Sequence, residues 1–171
     1  MTGHHTLRET EQAFAERLDG LQLDVAAMTA LHNLHRAAAM IRHHFEQSVL
    51  REAGLTWAGF GVLWVVWIWE SVDSGQAARE CGITKGTLTG VVRTLESHGW
   101  VARTTPADDR RRSVLSLTEE GQRLMTELFP KFNAEEAYVL DGLSPRRVTE
   151  LNRTLRHVMS HLEETGSARR G

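Results

Sequence analysis

The stretch from Thr84 to Trp100, TKGTLTGVVRTLESHGW, decides the fold of this 171-residue chain. Residues suited to a domain interior recur in it at spacings of three and four, the period of an α-helix that packs one face into a core. They are Thr84, Leu88, Val91, Val92 and Leu95. Gly99 follows in the position where helices commonly end. We therefore predict a helix over Thr84–His98 with one buried face.

The opposite face of this predicted helix combines cations, short hydroxyls and glycines: Lys85, Gly86, Thr89, Gly90 and Arg93, with Thr87 at its margin. Each interior glycine costs a helix about 1 kcal/mol relative to alanine, so a pair is easier to understand if another molecule approaches the backbone closely. The DNA major groove admits a helix and offers acceptors to lysine and arginine and methyl groups to threonine. The face is a candidate for contacting DNA. The alternative is a solvated face with incidental glycines.

The segments on either side of this helix predict its immediate partners. A shorter helix is predicted over Ser74–Cys81, and a turn at Gly82 and Ile83 joins the two helices into a helix-turn-helix. After Gly99 the period changes, because Trp100–Thr105 and Ser113–Leu117 are short stretches of strand-forming residues joined by a charged turn. We therefore predict a β-hairpin directly after the helix.

The tip of the predicted hairpin is cationic. Asp109 and Arg111 are two residues apart, so in a strand-like wing they point to the same side and can pair. Arg110 and Arg112 then project to the other side. A cationic finger beside a groove-sized helix suits the minor groove, whose negative potential favours arginine. The alternative for the tip alone is a polar turn with ordinary surface charges.

Charge is distributed unevenly along the chain, although the formal net charge is only -2. Residues 74–112 carry seven basic and four acidic side chains, whereas the segments 1–54, 55–73 and 113–171 are each net negative. A polyanion is expected to dock on this one cationic block.

The composition is that of an ordinary folded protein, with 41% hydrophobic and 25% charged residues. A single cysteine cannot form an internal disulfide framework, and the first residues contain no apolar signal segment. The longest apolar run, Gly59–Trp69, is well short of the ~20 residues that cross a bilayer. We expect a cytoplasmic protein that does not enter a membrane and needs no cofactor.

Helical periodicity also covers the flanks of the predicted core. Two helices are predicted within Leu7–Ala53, and an apolar helix over Thr56–Ser71 is expected to be buried on all sides. Further helices are predicted from Thr118 to about Asp141 and over Ser144–Glu164. The first and last segments carry apolar stripes that the core is too small to cover. We expect them to interlock between two chains in a homodimer.

Several of these stretches together resemble one known family. They are Leu55-Thr56, Gln76-Ala77-Ala78, Gly82-Ile83-Thr84, Leu88-Thr89, the run Leu95 to Arg103, Asp108 to Arg111, and Leu117 to Gly121. This set is similar to the winged-helix core of the MarR family of bacterial transcription regulators, and the close match covers about Leu55 to Gly121. The chain departs from the usual family pattern at Trp100, where a smaller aliphatic residue is common.

The resemblance implies a mostly α-helical fold with a small β-hairpin wing. Residues 55–121 would form the winged helix-turn-helix core, and residues 1–54 and 122–171 the dimerisation helices. It implies a sequence-specific, ligand-responsive repressor of transcription that binds a pseudo-palindromic operator in double-stranded DNA. On the matching positions, Lys85, Thr87, Thr89 and Arg93 would contact the major groove or phosphates, and Arg110 with Arg111 would form the wing.

The same resemblance implies a place for an effector. The family places effector pockets between the dimerisation helices and the DNA-binding lobe. An aromatic or phenolic small molecule would then meet Trp57, Trp64 and Trp67, together with His32 and His35. The alternative is that the tryptophans are simply core.

Two further interpretations concern metal and redox chemistry. His157 and His161, like His32 and His35, are spaced to share a helix face, yet neither pair has the nearby cysteine or carboxylates that would complete a metal site. A metal-sensing regulator of the same fold is therefore a secondary alternative. Cys81 stands at a usually apolar position, which favours a structural role over redox sensing.

Enzymatic activity is not predicted. The sequence has no Gly-rich phosphate loop, no HExxH motif and no GxSxG motif. It also has no nucleophile and base at a spacing typical of a catalytic motif. A winged-helix module that contacts protein is the alternative from another functional class.

Overall fold

The computed structural model describes residues 5–18, 20–106, 112–166 and 168–170, and it contains two compact units. The first unit ends at His44 and the second begins at Phe45. In the first unit, α1 spans Leu7–Arg17 and begins with a capping box formed by Thr6 and Glu9. Helix α2 spans Val25–Phe45 and continues into a π-helical turn at Glu46–Leu50. These elements agree with the two helices predicted for this segment.

The second unit contains the winged core and the helices that follow it. Its elements in chain order are α3 (Trp57–Trp69), β1 (Ser71–Asp73), α4 (Ser74–Glu80), α5 (Lys85–Ser97), β2 (Val101–Thr104), β3 (Val114–Leu117), α6 (Glu119–Val139), α7 (Pro145–Thr165) and a 3₁₀ turn (Ala168–Arg170). The fold is mostly α-helical with a small antiparallel sheet, as the sequence predicted. Helix α6 runs through Pro130 without interruption.

Hydroxyl side chains begin the long helices of this unit. Thr56, Thr84, Thr118 and Ser144 each accept a hydrogen bond from the backbone N–H three residues later. These caps satisfy N–H groups that have no partner inside the helix. The expectation that Thr84 packs inward is wrong, because its side chain is exposed and serves as a cap.

Among the described residues, the sheet has three strands rather than the two of the predicted hairpin. Strand β3 lies in the centre and pairs antiparallel with β2 on one side and β1 on the other. In the β1 pairing, Val72 lies opposite Leu115, and both side chains are buried. The predicted extension of the preceding helix to Ser71 is wrong, because Ser71 belongs to β1. The chain turns at Glu70, whose φ of 59° is unusual for a residue other than glycine.

The core forms where α3 meets α5, the sheet and α6. Its most fully buried side chains are Leu50, Val62, Leu63, Val66, Val92, Leu95, Leu115 and Met125. The expectation that α3 is buried on all sides is wrong at its end, where Ile68 and Trp69 are 51% and 57% exposed. The indole N–H of Trp69 donates to Glu80 at 2.8 Å, which gives the exposed ring a polar partner.

None of the helices in the described ranges is long and apolar enough to span a membrane.

A close backbone contact joins the start of α6 to the segment that follows α5. The backbone N–H of Thr118 donates to the carbonyl of Trp100, and the Thr118 hydroxyl donates to the carbonyl of Gly99. A Cβ on Gly121 would overlap the carbonyl oxygen of Trp100. Only glycine therefore allows α6 to approach this closely.

We expect Gly121→Ala to lower the free energy of unfolding by about 3 kcal/mol, because backbone must shift to relieve the overlap. Gly90→Ala is the matched control: a Cβ there meets nothing within 4 Å, so we expect a gain of up to about 1 kcal/mol from helix propensity. Urea denaturation followed by circular dichroism measures both. Equal stabilities for the two variants would contradict the close approach.

Candidate nucleic-acid interface

Helix α5 separates its core face from its outward face as predicted. Leu88, Val92 and Leu95 are between 1% and 3% exposed. The outward residues Lys85, Gly86, Thr87, Thr89, Gly90 and Arg93 are all exposed. The helix thus presents a polar, cationic surface on a firmly packed base.

The two glycines of α5 are not required by the domain itself. Neither has a positive φ, and a Cβ at Gly90 would meet nothing within 4 Å. A Cβ at Gly86 would meet only the Thr84 hydroxyl, at 3.8 Å. Because glycine weakens a helix interior and nothing inside this unit demands it, the bare backbone on this face favours close approach of an outside molecule.

The threonines of α5 are oriented by internal hydrogen bonds. The Thr89 hydroxyl donates to the carbonyl of Lys85 at 2.9 Å, and the hydroxyls of Thr87 and Thr84 are 2.9 Å apart. With its proton engaged, the Thr89 hydroxyl can still accept a hydrogen bond, and its methyl group can contact an apolar surface. These are properties that suit contact with base edges.

A small cleft of about 190 Å³ lies between α5, the start of α4 and the strands. Lys85 and Thr89 line it together with Arg103 and Ser113. Arg103 was not among the predicted site residues, although alternation with the buried Val101 would have placed it on the strand face toward α5. Its guanidinium is 3.3 Å from a carboxylate oxygen of Glu96.

The base of the wing is tied to the start of α4. The backbone N–H and the hydroxyl of Ser74 both donate to the carbonyl of Ser113, at 2.8 and 2.9 Å. Asp73 caps α4 through Gly75 and lies 3.8 Å from the Nε of Arg112. Such a long, partly exposed ion pair is weak, so Arg112 can exchange this partner for another anion.

Three of the predicted wing residues, Asp109, Arg110 and Arg111, lie outside the described residues. The predicted pairing of Asp109 with Arg111 therefore stays a prediction.

The predicted effector residues fall in both compact units. Trp57, Trp64 and Trp67 lie on α3, and Trp64 stacks on Phe129 of α6 with ring centroids 4.8 Å apart. His32 and His35 lie on α2 in the first unit, where His32 meets the edge of Phe14 at 5.0 Å. The structure thus groups the tryptophans with an aromatic surface of α6, including Phe129 and Phe132, that was not predicted from the sequence.

Cys81 is half-buried beside α3. Burial, with a smaller contribution from the neighbouring Glu80 carboxylate, raises the pKa of its thiol to about 11. The thiolate is the reactive form, so a raised pKa makes the thiol a poor nucleophile at neutral pH. The surroundings of Cys81 favour the structural role.

Among the described residues, no three His, Cys, Asp or Glu side chains cluster as a metal site would require.

We expect iodoacetamide to modify Cys81 at pH 8 at least about tenfold more slowly in the folded protein than in urea, because fewer thiols are ionised. The rate in the folded protein should rise as the pH approaches 11. Mass spectrometry of timed samples gives both rates. Equal rates at pH 8 would contradict the raised pKa.

A helix-turn-helix with a wing tied to its base defines a winged-helix DNA-binding protein. The family model described as MarR family matches residues 55–113. The HTH-type transcriptional regulator YwaE of Bacillus subtilis is 28% identical over 165 residues, which cover 95% of this chain and 96% of YwaE. Residues 55–113 therefore form a MarR-family winged-helix domain, and the chain is a DNA-binding transcription regulator and not an enzyme.

Solved structures have the same fold. AbsC of Streptomyces coelicolor, a MarR family transcriptional regulator, superposes with a TM-score of 0.73 at 23% identity, over 83% of this chain and 97% of AbsC. BpsR of Bordetella bronchiseptica superposes with a TM-score of 0.70 at 25% identity, over 76% of this chain and 98% of BpsR. The BpsR structure concerns regulation of DNA binding by 6-hydroxynicotinic acid.

Proposed function

We propose that this protein is a homodimeric repressor that binds a pseudo-palindromic operator through α5 and the wing and is released by a small aromatic effector. The observation that carries the proposal is the outward face of α5, where exposed cations flank bare glycine backbone beside a cationic cleft. Its site of action would be the cytoplasm, where chromosomal DNA is accessible in a bacterium.

In this proposal, α5 enters the major groove. Lys85 and Arg93 bind phosphates or base acceptors, Thr87 and Thr89 contact base edges, and the glycines allow the backbone to come close. Arg103 adds a phosphate contact from the neighbouring strand. The wing arginines, Arg110, Arg111 and Arg112, reach the adjacent minor groove, with Asp109 holding the tip in shape.

We expect Lys85→Ala and Arg93→Ala each to weaken operator binding. A lost phosphate contact should reduce the slope of log K against log salt by about 0.9, whereas a lost base contact should cost about 1 to 3 kcal/mol and relax sequence discrimination. Operator DNA is first obtained by sequencing fragments that the purified protein retains, and affinities are then measured by fluorescence anisotropy at several salt concentrations.

Arg123→Ala is the control, since this exposed arginine of α6 pairs with Glu120 and lies outside the proposed interface. If both α5 variants bind like wild type at every salt concentration, α5 does not enter the groove.

The helices around the core support a dimer. Helix α7 has no buried residue in the isolated chain, yet Val148, Leu151, Leu155 and Leu162 repeat on one side at spacings of three, four and seven. Leu151, Met159 and Leu162 are 41%, 54% and 61% exposed. A helix with an uncovered apolar stripe gains stability when a partner covers it. We assign residues 122–171 and 1–54 to the dimer and residues 55–121 to DNA.

A two-fold dimer would place its α5 helices about one turn of DNA apart, ~34 Å, which requires inverted half-sites whose centres lie ~10 bp apart.

We expect Leu151→Asp to shift the protein toward monomer, because the charge must be desolvated in the proposed contact. Ser160→Asp adds the same charge on the opposite, exposed side of α7 and should leave the dimer intact. Sedimentation velocity at micromolar protein without DNA distinguishes the two states. A wild-type protein that is entirely monomeric would contradict the dimer and favour a module that contacts protein instead.

Effector release would follow from binding to one dimer shape in preference to another. A ligand lowers operator affinity only by its differential affinity for the two shapes. The aromatic surface formed by α3 and α6 supports such a site, and BpsR provides a precedent for an aromatic effector in a protein of similar fold.

A further inference from the structure

A cleft of about 280 Å³ opens between α3 and α6. Its walls are almost entirely aromatic rings: Trp57, Phe60, Trp64, Phe129 and Phe132, with Gly61 between them. The rings hold one another in place, because Phe60 stacks on Phe132 at 4.1 Å and Trp64 stacks on Phe129 at 4.8 Å. Phe60 and Phe132 are buried, which anchors the floor, whereas Trp57 is 37% exposed at the rim.

The one charged side chain among the lining residues that the structure describes is an acid, Glu136. It lies seven residues after Phe129 and four after Phe132, so it continues the same side of α6 as the rings. Its carboxylate accepts a hydrogen bond from the amide of Asn133 at 2.8 Å. This contact leaves acceptor capacity on the carboxylate for a ligand.

The electrostatics of this lining favour a positively charged ligand. Aromatic rings present negative faces, which attract cations and repel anions. A carboxylate at the rim adds to the same preference. No described lysine, arginine or histidine lines the cleft to pair with an acid.

We propose that this cleft binds aromatic ligands that carry an alkylammonium group and discriminates against aromatic carboxylates. The inference rests on the proposed effector-responsive function and names the chemical class of the effector. The acid named for BpsR would be a poor ligand for this cleft. The ring of the ligand lies between Trp64 and Trp57, and its ammonium group faces Glu136.

Three small molecules with one phenol ring and a two-carbon chain test the charge preference: 4-hydroxyphenylethylamine, 2-(4-hydroxyphenyl)ethanol and 4-hydroxyphenylacetate. Calorimetric titration of the full chain at pH 7 should rank the amine first and the acid last. We expect the amine to bind about three- to tenfold more tightly than the alcohol, the range typical of one cation held over aromatic rings.

Glu136→Gln should reduce the advantage of the amine over the alcohol, because it removes the carboxylate and keeps the rings, while the affinity for the alcohol stays unchanged. Glu127→Gln is the matched control, because Glu127 lies on the same helix and lines a different groove, with Lys131. Phe129→Ala should weaken the amine and the alcohol alike, because both use the aromatic wall.

Three results would overturn the proposal: an acid that binds as tightly as the amine, an amine preference that Glu136→Gln does not reduce, or no binding of any of the three at millimolar concentration. Retention of operator DNA, measured in parallel, separates this proposal from the proposed function. If DNA is retained and the acid releases it, the regulator stands and the charge preference fails. If no DNA is retained, the proposed function fails, whatever the ranking of ligands.

Discussion

The packing of α5 on α3 is the interaction on which the rest of this structure depends. The inner side of α5 buries Leu88, Val92 and Leu95. Burial of each of these side chains stabilises the fold by roughly 2 kcal/mol. Leu95 comes within 3.8 Å of where a Cβ on Gly59 would be, so the glycine in α3 allows the two helices to approach closely. Because the inner face is anchored this firmly, the outer face can carry cations and helix-weakening glycines.

The wing is held in position by its connections to the same packed helices. Strand β3 is central in the sheet, paired with β2 after α5 and with β1 before α4. Both ends of the helix-turn-helix are therefore bound to one strand, and Ser74 and Asp73 add contacts at its foot. The Gly121 contact then seats α6 against the carbonyl of Trp100. Helix α5, the base of the wing and the α6 wall of the aromatic cleft are thus joined through the sheet and the contact between Gly121 and Trp100. A displacement of one of them would therefore be passed to the others through these contacts.

The charge of the aromatic cleft illustrates why family membership does not define a ligand. The fold places aromatic side chains of α3 opposite α6, but the sign of the ligand depends on single residues such as Glu136. A related protein can keep the architecture and exchange this acid for a cation. Function then resides in the site rather than in the fold.

The sequence by itself determined the helices of this protein and the chemistry of the outward face of α5. Caps and stops act over three or four residues, so Thr56, Thr118, Ser144 and Gly99 mark helix ends in the sequence alone. Amphipathic periodicity likewise identifies the buried side of α5. Such signals are local, and they survive in any fold that buries the helix.

Only the tertiary structure decided the features that join distant segments. Strand β1 has only three residues, and Val72 pairs with Leu115, which lies far from Val72 along the chain. No local sequence pattern therefore predicts this pairing. The turn at Glu70 has no glycine to mark it, which is why the helix predicted from the sequence runs too far. The neighbourhood of Arg103 and Lys85, and that of Glu136 and Trp64, arise from packing between elements. Contacts of this kind depend on how surfaces fit in three dimensions, which the order of residues along the chain does not display.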